Sequence, residues 1–435
     1  MPPVDTPLVT AIDTLRFSTA GSVDDGKSTL IGRLLFDADG ILDDQLASLA
    51  GATSKHGHVA PGEAIDFSLL TDGLIAEREQ GITIDVAYRY FTTAKRRFII
   101  ADTPGHEQYT RNMVTGASTA DLTIILLDAT RGITMQSRRH AVIASLLRIS
   151  HVVVAINKMD LVGYAEDVYG RLRESFAPFI EQLGFKQVTF IPVSALKGEM
   201  LANRGQAMPW FTGLTLLETL ETSRAHIAAA KPARFAVQRV ARHKFGPNLD
   251  LRGYQGRLDG GRLQTGDDIA VLPGGEHARV QAIHTVEGRV DGVTNGNVAT
   301  IVIDRQMDIS RGSMLVKTND DTPAPLVRAT FLADLCWLDV TPLDPARRYW
   351  IKQTTRSTRA VIDKIVYRLN IETLDRSDTA VTTLASNDVA RVAISTQQPL
   401  VFDAYRDNRA TGSFILIDDT TNRTVAAGMI TEATE

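Results

Sequence analysis

The sequence has a single cysteine and no excess of basic residues. Cys336 has no second cysteine to pair with, so an intrachain disulfide framework and a cysteine zinc cluster are excluded. The 47 lysine and arginine residues are outnumbered by 51 aspartate and glutamate residues, which gives a formal net charge of −4. Proteins that mainly grip nucleic acid usually carry a basic surplus, so we expect no nucleic-acid partner.

Long apolar runs are also missing. No run approaches the roughly 18 residues of a membrane span, and the segment Met1–Pro7 has neither a basic leader nor an apolar signal core. We therefore expect no membrane partner and a cytoplasmic location. The chain has 435 residues, of which 44% are hydrophobic and 23% charged, which is ordinary globular composition for several domains.

Short apolar runs alternate with helical patterns in the first half of the chain. The runs are rich in β-branched residues and continuous rather than alternating, and they cover residues 98–101, 122–127, 152–156 and 188–193. Such runs are typical of a parallel sheet covered on both faces. We therefore predict a doubly wound α/β domain over residues 14–228, with ligands bound at the carboxyl ends of its strands.

The pattern changes near Lys231-Pro232. Helical periodicity stops, and short strand-like runs separated by glycine turns follow. These runs predict a small antiparallel β-barrel over residues 229–322. A linker-like segment at 320–325 precedes a second strand-rich block, which predicts another barrel over residues 325–435.

The segment Gly21–Ser28 fits the phosphate-loop pattern G-x-x-x-x-G-K-[ST]. Glycines let successive backbone N–H groups point at phosphate oxygens, and the following helix adds the positive end of its dipole. Lys27 is expected to reach the β- and γ-phosphates, and the Ser28 hydroxyl to ligate Mg²⁺. The predicted nucleotide-binding residues here are Gly21, Ser22, Val23, Asp24, Asp25, Gly26, Lys27, Ser28 and Thr29.

A second motif, Asp102-Thr103-Pro104-Gly105-His106, follows the run at 98–101. A carboxylate at a strand end can hold Mg²⁺ through water, which assigns Asp102 to the metal site. The N–H of Gly105 can sense a γ-phosphate, because glycine allows its peptide to swing. Alone, this motif is also compatible with a plain turn.

Two further motifs predict the base that the site selects. In Asn157-Lys158-Met159-Asp160, the Asp160 carboxylate can accept from both N1–H and the N2 amino group of guanine. Adenine would leave that acceptor unpaired. The backbone N–H groups of Ser194-Ala195-Leu196, a weak signal alone, can bind the guanine O6.

These four elements, in this order, resemble the GTPase superfamily. Gly81-Ile82-Thr83-Ile84 is similar to the switch I element of translation-factor GTPases. The resemblance implies that Thr83 closes over Mg²⁺ and the γ-phosphate, so that Ser28, Thr83 and Asp102 form the metal site. It also implies catalytic roles for Lys27, Thr83 and His106, with His106 positioning the attacking water. The alternative for His106 is an ordinary surface histidine.

Several long stretches resemble one relative in particular, the large GTP-dependent subunit of bacterial sulfate adenylyltransferase. They are residues 21–35, 77–88, 101–113, 157–162 and 426–430, and elongation factors have His-Val-Asp-His where this chain has Ser22-Val23-Asp24-Asp25. The resemblance implies GTP/GDP and Mg²⁺ as cofactors. It also implies a separate small subunit that binds ATP and sulfate and makes adenosine 5′-phosphosulfate during sulfate assimilation. The expected moving parts are switch I, residues 37–83, and switch II, from Asp102.

Two other functions remain open at this point. One is a translation-type GTPase that delivers an RNA-bound cargo, and the other is a regulatory nucleotide switch with no coupled chemistry. Some relatives continue into a kinase domain for adenosine 5′-phosphosulfate, and we expect that domain to be absent because no second phosphate loop follows. The basic clusters Arg138-Arg139-His140 and Arg347-Arg348 are interpreted mainly as solvated surface, and a contact with a partner or an anion is the alternative.

Overall fold

The computed structural model describes residues 13–38, 77, 83–223, 231–244, 250–318, 323–377 and 381–433. The chain divides into two compact units, Met1–Ile227 and Ala228–Glu435. The first is an α/β unit, and the second contains two β-barrels. The predicted architecture, a mostly parallel α/β domain followed by two antiparallel β-barrels, is confirmed.

The first unit is built on one six-stranded sheet with the order β2-β3-β1-β4-β5-β6. Neighbouring strands run parallel except β2, which pairs antiparallel with β3 at the edge. Every residue of β4 and β5 is buried, as the continuous apolar runs predict. The strands are β1 Thr14–Ala20, β2 Ala87–Thr92, β3 Arg97–Asp102, β4 Leu122–Asp128, β5 His151–Asn157 and β6 Gln187–Pro192.

Two helices of the first unit begin at a residue whose side chain caps the first turn. The first turn of α3 is capped by Thr134, whose side chain accepts from the Ser137 N–H, and α5 begins with a capping box between Thr215 and Glu218. No helix within the described ranges is both long and apolar enough to cross a membrane. The cytoplasmic location stays a prediction. The α-helices whose bounds the structure describes in this unit are α1 Lys27–Asp37, α2 Thr110–Ala117, α3 Met135–Leu146, α4 Glu166–Gln182 and α5 Leu216–Thr222.

The first barrel of the second unit closes through the pairing of β10 with β11. Phe235, Tyr254 and Ile301 are fully buried in its interior. Its closed ring contains β7 Arg234–Lys244, β8 Asp250–Asp259, β14 Val298–Ile303, β11 Glu276–Thr285, β10 Asp268–Leu272 and β15 Met314–Lys317. Outside the ring, β12 Gly288–Val290 extends β11, and β9 Arg262–Gln264 pairs with β13 Gly292–Thr294.

The second barrel closes through the pairing of β17 with β18. Cys336 lies buried on β16, as expected for a small apolar side chain. The ring contains β16 Leu326–Trp337, β17 Tyr349–Gln353, β18 Arg356–Leu369, β20 Val389–Phe402, β21 Ser413–Asp418 and β22 Thr424–Ala433. Outside the ring, the short strand β19 Arg376–Ser377 pairs with β18, and the helix α6 Arg409–Gly412 precedes β21.

A buried ion pair ties the two barrels together. The Arg234 guanidinium, only 2% exposed, donates from Nε and Nη2 to the two carboxylate oxygens of Asp403, at 3.0 and 2.8 Å. Its Nη2 also donates to the Pro323 carbonyl at 2.7 Å. A bidentate arginine pair fixes orientation as well as distance, so this contact holds the end of β20 against the start of β7.

Candidate nucleotide-binding site

The phosphate loop leaves the end of β1 and turns sharply into α1. Asp24 and Gly26 both adopt positive φ, at 67° and 90°, and α1 begins at Lys27. The Leu30 N–H donates to the Gly26 carbonyl at 2.9 Å, which is the first bond of the helix. The loop therefore stands at a helix N-terminus, where unpaired N–H groups favour an anion.

Lys27 is fixed within this loop. It is 7% exposed, and its ammonium donates to the carbonyls of Gly21 and Ser22 at 3.0 and 2.7 Å. Burial lowers the pKa of Lys27, while the nearby Asp102 carboxylate opposes that shift. A partly desolvated cation at the head of the loop is suited to a phosphate group.

Gly105 packs directly against the loop, as its motif predicts. A β-carbon at Gly105 would lie 2.8 Å from the Gly21 oxygen and 2.9 Å from the Ser22 carbonyl carbon, and would also clash with the Lys27 ammonium. Only glycine permits this approach. Switch II therefore begins within reach of the cation expected to bind the γ-phosphate.

Asp102 lies at the carboxyl end of β3 and is 1% exposed. Burial raises the pKa of Asp102 to about 6, although the Lys27 ammonium and a 3.2 Å bond from the Thr19 hydroxyl both favour its ionised form. The predicted ligands, Asp102 with the hydroxyls of Ser28 and Thr83, are the hard oxygen donors that Mg²⁺ prefers, so their chemistry fits that ion. That the three meet at one metal site stays a prediction.

The rest of the predicted switch I lies largely outside the described residues. Gly81 and Ile82 belong to that part, whereas Thr83 is described and half-buried. Glu77 is 4% exposed, and its carboxylate accepts from the N–H groups of Ile84 and Asp85 at 2.9 and 3.2 Å. These bonds hold the chain that immediately follows Thr83.

Asn157 connects the phosphate loop to both base-recognition motifs. It is 2% exposed at the carboxyl end of β5. Its Nδ2 donates to the Asp25 carbonyl at 2.8 Å, and its Oδ1 accepts from the Ala195 N–H at 2.9 Å. One amide side chain therefore fixes three segments that are distant in sequence.

The predicted guanine acceptor is held by a neighbouring hydroxyl. Ser194 is fully buried and donates from Oγ to Asp160 Oδ1 at 2.6 Å. The Lys158 ammonium lies 2.8 Å from Asp128 Oδ2, which keeps the lysine against the end of β4. Asp160 thus has one oxygen fixed by protein, and its orientation is set before a base arrives.

The backbone N–H groups of Ser194 and Ala195, which the sequence assigns to the guanine O6, already have hydrogen-bond partners within the chain. The Ser194 N–H donates to the Glu199 carbonyl at 3.2 Å, and the Ala195 N–H is engaged by Asn157. Leu196 is 47% exposed. Assignment of these N–H groups to guanine O6 stays a prediction, and it requires the Ala195 amide to exchange its partner.

His106 begins the short 3-10 helix Glu107–Tyr109. Its Nδ1 accepts from the Gln108 N–H at 3.2 Å, and its ring centroid lies 6.0 Å from that of Tyr109. Because Nδ1 is an acceptor, the neutral ring carries its proton on Nε2. His106 is half-buried and follows Gly105 directly. Its place in switch II and its role in positioning water stay predictions.

Asp25 occupies the position where elongation factors have histidine. Its Oδ2 accepts from the Ser22 N–H at 2.6 Å, and the side chain is 1% exposed. Burial raises the pKa of Asp25, while the Lys27 ammonium lowers it. The Asp25 carboxylate therefore stabilises the turn of the phosphate loop by accepting from Ser22. The phosphate-loop pattern alone does not specify this role.

The interpretation of Arg138-Arg139-His140 as solvated surface is wrong for His140. This histidine is fully buried on α3, and its Nδ1 accepts from the Gly21 N–H at 3.0 Å. Arg138 stacks over the Phe179 ring at 4.6 Å, and Arg139 pairs with Glu107 at 3.3 Å. His140 is thus a contact to the phosphate loop that sequence reasoning missed.

We expect His140 to make stability depend on pH. Burial lowers its pKa from 6.5 to about 3, so the unfolded chain binds the proton more readily than the folded chain. The contribution of His140 to the free energy of unfolding is therefore complete above about pH 6.5. It falls by about 1.4 kcal/mol for each pH unit below that value. Urea unfolding of His140→Asn, whose amide oxygen can still accept from Gly21, should show a smaller loss between pH 7 and pH 5 than the parent, by about 2 kcal/mol. Equal losses would remove this assignment.

We expect Gly26→Ala to abolish tight nucleotide binding. The residue has φ of 90°, and a β-carbon there would clash with the Asn157 amide that links the three motifs. The matched control is Gly184→Ala, where φ is 72° and nothing lies within 4 Å. Titration with a fluorescent GDP analogue should show a loss of about 100-fold for the first variant and little change for the second. Similar affinities in both would show that the clash is tolerated.

Comparison with known proteins agrees with this geometry. The elongation factor Tu GTP-binding domain matches residues 13–226, and the eEF1A C-terminal-like domain matches residues 330–431. Sulfate adenylyltransferase subunit 1 of Shewanella oneidensis is 50% identical over 96% of this chain and 85% of its own length. The chain belongs to the sulfate adenylyltransferase subunit 1 family.

Other family members support the same placement. Subunit 1 of Bacteroides fragilis is 48% identical over 97% of this chain and 87% of its own length. The bifunctional enzyme NodQ of a Rhizobium species is 49% identical over 96% of this chain, which spans 63% of that longer protein. The resemblance to this family, and to its GTP-binding domain, is therefore confirmed over nearly the whole described chain.

Proposed function

We propose that this chain is the GTPase subunit that drives sulfate adenylyltransferase. On a separate small subunit, ATP and sulfate form adenosine 5′-phosphosulfate and pyrophosphate. The observation that carries the proposal is the 50% identity, across 96% of the chain, to a protein named sulfate adenylyltransferase subunit 1. The phosphate loop, the two hydrogen bonds of the Asn157 amide and the bond that orients Asp160 supply a site suited to a guanine nucleotide.

Each site residue has a distinct task in hydrolysis. Lys27 and the loop amides neutralise charge on the β- and γ-phosphates. Ser28, Thr83 and Asp102 would hold Mg²⁺, which stabilises the charge that develops during phosphoryl transfer. His106 orients the attacking water through Nε2, and Gly105 allows switch II to follow the γ-phosphate. The protein's contribution is positioning and charge stabilisation.

Coupling places a thermodynamic requirement on the complex. The phosphosulfate anhydride is costly to form, so a second hydrolysis is a sensible source of free energy. That energy reaches the small subunit only if the GTP and GDP forms of this chain bind its reaction states with different affinities. Gly105 and Thr83 lie in the segments expected to differ between those forms.

The direct test is reconstitution of the two subunits. Phosphosulfate synthesis should rise when GTP is added to the purified pair, and it should not rise with a non-hydrolysable GTP analogue. The second candidate function, a translation GTPase, is favoured by the elongation factor Tu domain match. Ribosome-stimulated hydrolysis, with no effect of GTP on phosphosulfate synthesis, would decide for that candidate and against the proposal.

A further inference from the structure

The outer face of the first barrel carries an arrangement that the nucleotide site does not use. Pairing of β7, β8 and β14 aligns Ala236, Arg257 and Val298 in one cross-strand row. After a register shift in β7, Arg239, Gln255 and Thr300 form the next row. Because Phe235 and Val237 point into the barrel core, these rows face outward. We call this set of six residues the arginine face.

The arginine face forms one wall of a cavity of about 1040 Å³ within the second unit. Thr354, Thr355 and the start of α6 complete it from the second barrel. Two valines at the cavity are unusually open, with Val286 105% and Val298 69% exposed. The size lies at the upper end of small-molecule pockets, which are roughly 300–1,000 Å³, and exposed apolar side chains rimmed by polar residues mark interaction sites.

The charges of this face are not neutralised within the chain. Neither Arg239 nor Arg257 makes an ion pair or side-chain hydrogen bond with any residue that the structure describes. The clusters noted in the sequence behave differently, since Arg139 pairs with Glu107 and Arg347 with Asp418. The two guanidinium groups of this face are therefore exposed and without a counter-charge among the described residues.

The remaining charged groups at the cavity leave it cationic. Arg234 is neutralised by Asp403. Asp259 is the acidic residue among the described lining residues, and its Oδ2 is buried without a hydrogen-bond partner. Among the described lining residues, one carboxylate thus stands against two arginines that have no ion-pair partner. An incoming anionic group would meet a net positive surface.

We propose that the arginine face docks an acidic segment of the partner small subunit, with an apolar side chain of that segment packed against Val286 and Val298. The inference rests on the proposed function, because that function supplies the partner. Arginine suits this role, since its planar fork can pair with carboxylates in two-bond geometry while its stem packs on apolar surface. Arginine is also enriched among the residues that dominate binding energy at interfaces.

A protein partner fits this face better than RNA. The whole chain has a net charge of −4, and the face combines two arginines with an acidic residue and two open valines. Binding along an RNA backbone needs more cationic side chains than these two, because affinity grows with the number of phosphates that the protein neutralises. RNA binding is therefore retained only as an outcome of the test.

The test is a titration of the full-length chain with the purified small subunit, followed by isothermal calorimetry. Arg239→Glu/Arg257→Glu should weaken binding by about 10- to 100-fold, and Val298→Ser should weaken it less. The matched control is Arg262→Glu/Arg328→Glu, which makes the same change of charge on exposed arginines that do not line the cavity. GDP affinity and the midpoint of thermal unfolding should be unchanged in every variant.

The outcomes separate this inference from the proposed function. If the parent chain and the small subunit do not bind, the proposed partner is wrong and the inference fails with it. If they bind and the double variant binds within two-fold of the parent, only the docking face is wrong. A weakening that the control variant shares, or binding of single-stranded RNA through Arg239 and Arg257 in place of the subunit, also overturns the inference.

Discussion

Asp160→Asn should change the nucleotide preference of this protein from guanine to xanthine. In the folded chain, Ser194 donates to Asp160 Oδ1, which fixes the carboxylate and leaves its other oxygen for the base. An asparagine in the same position would still accept from Ser194 through its own Oδ1. Its Nδ2 would then present a donor where guanine offers an amino group and xanthine offers a carbonyl oxygen.

The expected loss of GTP affinity is about 100-fold or more, because a donor would face a donor in a desolvated contact. Xanthosine triphosphate should gain affinity by a similar factor. Competition binding with both nucleotides measures the change, and Asp167→Asn, at a carboxylate 67% exposed on α4, is the control. The variant also tests coupling, since xanthosine triphosphate should then replace GTP in driving phosphosulfate synthesis. Unchanged GTP affinity would remove Asp160 from the base site.

The parts of the site that the sequence predicts are those set by local geometry. The phosphate loop needs its glycines and Lys27 within a few residues, and β3 and β5 end at Asp102 and Asn157 because a parallel sheet brings its carboxyl ends to one edge. Burial of β4 and β5 follows from their continuous apolar runs. These features are readable because each depends on neighbours in sequence or on strand direction.

Contacts between distant segments could not be predicted in the same way. His140 accepts from Gly21 only because α3 packs beside the phosphate loop. In the sequence it follows two arginines, so the sequence alone indicates a surface residue. Arg234 and Asp403 are 169 residues apart, and neither lies in a motif. The Ala195 amide pairs with Asn157 through a geometry that strand ends alone do not fix.

Asp25 shows that a chain can match the phosphate-loop motif and still have different charges and hydrogen bonds inside the loop. Elongation factors have a histidine there, whereas this chain uses a carboxylate that accepts from Ser22 and is nearly inaccessible. A buried negative charge beside the phosphate site opposes an incoming anion, and the Lys27 ammonium offsets it. The sequence revealed the substitution, but the compensating contact required the fold.

His106→Ala should keep nucleotide binding and lose most GTP hydrolysis. The histidine follows Gly105 directly, and its Nδ1 accepts from the Gln108 N–H, which leaves Nε2–H as the other polar group of the ring. A neutral ring in this state donates to the water oxygen and orients it, and does not remove its proton. Loss of such a positioning group is expected to slow turnover by about 100-fold or more.

Two further substitutions separate the two ring nitrogens of His106. His106→Gln can place an amide N–H near the position of Nε2 and should recover part of the rate. His106→Asn can still accept from Gln108 and cap the helix, but it lacks the distant donor, so it should be as slow as alanine. Single-turnover GTP hydrolysis measures all three, with His277→Ala, at an exposed histidine on β11, as the control. If asparagine restored turnover and glutamine did not, His106 would act by holding the start of switch II, and the water would be oriented by another group.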